Sequence, residues 1–131
     1  IDNWATCDTF APKIFLKYPE ETLVYVQKWL ASTDTYTVRY GIGILLSNYL
    51  DAHFSPVHLQ WVTAISSSEY YINMMIAWYF ATALTKQYEA TIPLIESKIL
   101  EPFVQNKTIQ KARESRRISA ETKEYLIQFK K

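Results

Sequence analysis

Two residue types four positions apart open the chain: Trp4 and Asp8, within Ile1-Asp2-Asn3-Trp4-Ala5-Thr6-Cys7-Asp8. If this stretch is helical, the indole and the carboxylate stand one above the other on a single face. Such a pair offers a flat surface for a sugar or a base, and an anion to hold a developing positive charge. Taken alone, the spacing favours a plainer role, a core tryptophan beside a helix-turn aspartate.

Further along lie other residues able to do chemistry. Arg39 is a lone arginine just before an apolar stretch, so it is either paired with a carboxylate or aimed into a groove. Asn73 interrupts the most apolar segment of the chain. A buried amide must be hydrogen-bonded, so Asn73 either ties its helix to a neighbour or lines a site. Trp78 lies in the middle of the same segment, where burial would make it a core residue. The run Asn106 to Arg117 then gathers five cations: Lys107, Lys111, Arg113, Arg116 and Arg117. The net charge of +1 hides an asymmetry, because residues 1–97 sum to −4 and residues 98–131 to +5. A basic end on a near-neutral chain suits contact with phosphate, or it is the solvated surface of the last helices.

Several chemistries are disfavoured. Cys7, His53 and His58 form no nucleophile–base group with the serines. Neither histidine has a second ligand at metal spacing, so no metal site is expected, and no cofactor. Gly41 and Gly43 are the two glycines, too few for a phosphate-cradling loop or a hairpin-rich β fold. A single cysteine excludes an internal disulfide framework and fits the cytoplasm. No segment is apolar enough to span a bilayer, so no membrane partner is expected.

The elements that must position these residues read as helices almost throughout. With 131 residues, 49% of them apolar, the chain is one domain with material for a core. Short helices are expected near 2–9 and after Pro12. Pro19, Glu20 and Glu21 form the first turn of the next, and Ser32-Thr33-Asp34 ends it. A long helix over about 35–51 holds both glycines. Ser55-Pro56 starts another, and Ser66-x-x-Glu69 has the form of a capping box. Helix 69–86 is apolar on nearly every side and should be the most buried. Helices near 88–98, 102–115 and 119–129 complete the chain, the last capped by Ser119. Helix–turn–helix units recur about every thirty-five residues (20–51, 56–86, 88–115), a period that fits an all-α, HEAT-like α-solenoid of stacked antiparallel pairs. A compact helical bundle would use the same stripes.

Four segments occur in one order: Asp2 to Asp8; Tyr36-Thr37-Val38-Arg39-Tyr40-Gly41-Ile42; Tyr70-Tyr71-Ile72-Asn73-Met74-Met75-Ile76-Ala77-Trp78-Tyr79-Phe80; and Asn106-Lys107-Thr108-Ile109-Gln110-Lys111-Ala112. Together they resemble the DNA alkylation repair enzyme family, the HEAT-like-repeat DNA glycosylases for alkylated purines. The resemblance covers essentially the whole chain and corresponds to the C-terminal part of family members. It implies a superhelix of helix pairs with a basic concave face for duplex DNA, and hydrolysis of the N-glycosidic bond of N3- or N7-alkylated purines. By the same resemblance Trp4 packs against the lesion nucleotide, Asp8 is the catalytic carboxylate, Arg39 holds DNA backbone and Trp78 is a second aromatic wall. Lys107, Lys111 and Arg113 are then expected on phosphate. The expected protein is a cytoplasmic monomer acting on alkylated duplex DNA, and this chain a C-terminal piece of it. The rival expectation is a non-catalytic helical-repeat module that binds DNA structures or a protein partner.

Overall fold

A computed structural model describes residues 19–51, 53–65 and 67–131. The two short helices expected before Pro19 lie outside these residues, as do Trp4 and Asp8. Seven helices and no strands are found among the described residues: α1 (Pro19–Leu30), α2 (Thr35–Asn48), α3 (Pro56–Thr63), α4 (Tyr70–Lys86), α5 (Tyr88–Glu96), α6 (Pro102–Glu114) and α7 (Ala120–Ile127).

Local chemistry sets most of these boundaries. Asp34 caps α2, its carboxylate accepting from the Thr37 N–H at 3.0 Å and from the Thr37 hydroxyl at 2.6 Å. These bonds satisfy a free helix-end donor and hold the Asp34 carboxyl below its usual range. Ser119 caps α7 in the expected way, accepting from the Thr122 N–H at 3.2 Å. Prolines stand in the first turns of α3 and α6, where their missing N–H costs no helix bond. The start of α4 differs from the expected capping box. Glu69 sits at the cap position itself, outside the first turn, and makes no side-chain cap bond. Ser67 takes over locally, its hydroxyl accepting from the Glu69 N–H at 3.0 Å.

Helix α4 is the centre of an all-α, solenoid-like stack. It packs on α2 along one side, on α6 along the other, and on α5, while α1 packs on α2 and touches α3, and α7 closes against α6. The core that joins them runs from Val26 and Leu30 through Ile42, Leu45 and Tyr49 to Ile76, Tyr79 and Phe80, and on to Ile95, Ile109 and Leu126. Because α4 is clasped by three helices, ten of its seventeen residues are buried. Buried Gln105 fastens the far end, donating from Nε2 to the carbonyls of Ile95 and Phe129, both at 2.9 Å. At the other corner Gln87 donates to the Leu50 carbonyl at 2.9 Å, and Lys86 pairs with Asp51 at 2.8 Å.

Candidate functional site

The most apolar helix does not bury everything. Trp78 is 54% exposed, although Ala77 and Tyr79 on either side of it are fully buried. Of the two readings of Trp78, core residue or exposed aromatic wall, this exposure removes the first. Helix α4 packs on α2, α5 and α6, and the side left over carries Tyr71, Met74, Trp78, Thr82 and Thr85. That stripe repeats at three and four residues, as one helical face must.

Trp78 lies in a cleft of about 310 Å³ that it shares with Ala81, Thr82, Thr85, Lys111, Glu114 and Ser115. The cleft is the furrow between α4 and α6, which pack on one another. The ammonium of Lys111 and the carboxylate of Glu114 stand on one face of α6, three residues apart, with two threonine hydroxyls opposite on α4. An indole with a cation and several hydroxyls around it suits a flat ring attached to a sugar and a phosphate.

The other expected site residues divide. Lys107 is one turn before Lys111 on the same face of α6, and its ammonium donates to Gln110 Oε1 at 3.0 Å. Arg113 is exposed, but two residues on from Lys111 places it roughly 160° around the helix. It faces away from the cleft. Arg116 and Arg117 are exposed in the turn after α6. Arg39 is half-buried in α2, with its guanidinium carbon 5.3 Å from the centroid of the Tyr71 ring. Tyr71 is seven residues, or two turns, before Trp78. One exposed strip of α4 therefore has Arg39 at one end and the Lys111 cleft at the other.

Asn73 is resolved in favour of structure. Its Nδ2 donates to the Ser67 carbonyl at 2.9 Å, which pins the loop entering α4. Asn106 is structural too, exchanging two bonds with the Lys131 backbone at 3.1 and 2.7 Å. Sequence reasoning passed over Tyr71, Thr82, Thr85 and Glu114. The signal was present: they stand at helical spacing from Trp78 and from Lys111.

Among the described residues no helix is long and apolar enough to cross a membrane, and no group of three or more His, Cys, Asp or Glu residues is placed to hold a metal ion.

Among the described residues, fold and site together define an all-α, solenoid-like protein with an open face that carries an indole, an ammonium and a carboxylate. The family model described as DNA alkylation repair enzyme matches residues 1–122, and the chain belongs to that family. No curated protein and no solved structure matches the chain.

Proposed function

We propose that this chain is a HEAT-like DNA glycosylase domain that hydrolyses the N-glycosidic bond of N3- or N7-alkylated purines in duplex DNA, acting in the cytoplasm as a monomer without a cofactor. Family membership supports a DNA substrate. The single observation that carries the site is the exposed indole of Trp78, which shares its cleft with Lys111.

The chemistry follows from the substrate. An alkylated purine is already cationic, so it leaves as a neutral base without being protonated. The C1′–N bond breaks, positive charge passes to the sugar, and a water oxygen bonds to C1′ while its proton is released. The protein's task is to stabilise that charge and place the water. Asp8 takes this role in our reading, with Trp4 and Trp78 as the aromatic walls. Each indole face attracts the cation by about 0.5–2 kcal/mol. Arg39, Lys107 and Lys111 hold the backbone phosphates, and Arg113 reaches a phosphate outside the cleft.

The test is release of base from duplex DNA containing N7-methylguanine, by the full-length protein and by its Asp8→Asn form. The native protein should release base and the variant should lose most of that activity. Equal activity removes Asp8 from the mechanism. DNA binding without release makes the chain a binding module.

A further inference from the structure

The exposed aromatic surface does not stop at Trp78. Tyr70 and Tyr71, in the first turn of α4, are 55% and 61% exposed, and Phe103, in the first turn of α6, is 39% exposed. Their rings touch: Tyr70 meets Tyr71 edge to face at 5.4 Å between centroids, and it meets Phe103 at 5.8 Å. The Arg39 guanidinium of α2 lies over the Tyr71 ring, its carbon 5.3 Å from the centroid. Four side chains from three helices thus form one continuous ledge, a planar cation followed by three rings.

The Tyr70 and Phe103 rings take no part in the proposed hydrolysis, and exposing three contiguous rings to water is unfavourable unless something covers them. We propose that Tyr71, Tyr70 and Phe103, with Arg39 at their edge, form a stacking platform for the unpaired bases of a single-stranded stretch of DNA. Every base has a π face, so aromatic platforms bind single strands with little sequence preference, and an arginine alongside meets their phosphates. A protein partner would be met equally well by the rings, but Arg39 and the continuity with the Trp78 strip favour a nucleic acid. Two turns of α4 separate Tyr71 from Trp78, about 10 Å along the axis. At about 3.4 Å per nucleotide, that is roughly three nucleotides of strand. The platform would therefore engage a gap or frayed stretch some three nucleotides from a base held at Trp78. This inference rests on the DNA-directed reading of the site but not on its catalysis.

The experiment compares anisotropy titrations of a labelled duplex carrying a three-nucleotide gap with those of the fully paired duplex. The proteins are the native chain, Tyr70→Ala with Phe103→Ala, and Tyr25→Ala, an exposed tyrosine on α1. The native chain should favour the gapped duplex about fivefold or more. The double variant should lose that preference while keeping its thermal midpoint, its affinity for paired DNA and any base release, and Tyr25→Ala should change nothing. Equal affinity of the native chain for both duplexes overturns the platform, whether or not base is released. Gap preference without base release supports the platform and sinks only the glycosylase reading. If the double variant keeps gap preference but loses self-association in sedimentation, the ledge is a protein interface and the proposal fails.

Discussion

The guanidinium carbon of Arg39 lies 5.3 Å from the centre of the Tyr71 ring, joining the second turn of α2 to the first turn of α4. Such a contact depends on the shape of the cation as well as its charge. The planar guanidinium lies flat on a ring and can still offer donors at its edge, whereas an ammonium is a point charge.

That difference gives a paired prediction. Arg39→Lys keeps the charge and loses the planar guanidinium over Tyr71, so it should raise Kd for duplex DNA by about two- to tenfold and leave the salt dependence unchanged. Arg39→Ala should weaken binding further and also lower the slope of log K against log salt by about one. Titrations at three salt concentrations separate the two. Native-like affinity in Arg39→Lys would show that the guanidinium–Tyr71 contact contributes nothing to DNA binding.

Trp78→Ala should separate function from stability. A half-exposed indole that fills no core position leaves no cavity, so the unfolding free energy should move by the small amount typical of surface changes, about 0.5 kcal/mol. Loss of an aromatic wall should reduce base release by about two- to thirtyfold, the rate equivalent of one cation–π contact. A large loss of stability in urea would return Trp78 to the core.

These residues also show what was legible in the sequence. The boundaries of α2, α3, α6 and α7 could be read because Asp34, Pro56, Pro102 and Ser119 are local signals that act through their own backbone neighbours. The exposure of Trp78 could not. Periodicity detects a buried face by contrast with a polar one, and the first half of α4 offers little contrast: its solvent strip there is Tyr71, Met74 and Trp78, and only Thr82 and Thr85 further on are polar. Which side stays open is decided by where α2, α5 and α6 pack, and that is tertiary information. Asn73 failed to discriminate for a related reason, since its partner is a backbone carbonyl in the preceding loop.

Gly41 and Gly43 should respond in opposite directions to alanine. A Cβ on Gly41 would stand 3.1 Å from Leu30 Cδ2 and 3.2 Å from Trp29 Cβ, both at the end of α1. The Trp29 Cβ is fixed to the backbone, so the helices must move apart, at a cost of about 1–3 kcal/mol that outweighs the gain of up to about 1 kcal/mol in helix propensity. A Cβ on Gly43 meets only Met75 Cε, at 3.3 Å. That methyl ends a flexible side chain and can shift, so Gly43→Ala should be neutral or stabilising by up to about 1 kcal/mol. Urea unfolding of the two variants, with the native chain alongside, measures both signs.

The last prediction concerns pH. His58 is 1% exposed, set among Tyr49 and Phe54 edge to face and Trp61 at 4.9 Å between centroids. Burial pushes its pKa below the ordinary 6.5, and a hydrogen bond with the Tyr49 backbone opposes this only in part. Folding therefore favours the neutral imidazole, and below the unfolded-state pKa the unfolded chain binds more protons than the folded one. The contribution of His58 is complete above about pH 6.5 and declines as pH falls from there toward the lower folded-state value. The thermal midpoint of the native chain should consequently drop between pH 7.5 and pH 5. In His58→Phe, which keeps an aromatic ring and cannot titrate, that drop should be shallower. Parallel pH profiles for the native chain and His58→Phe would mean that this aromatic nest does not hold the imidazole neutral.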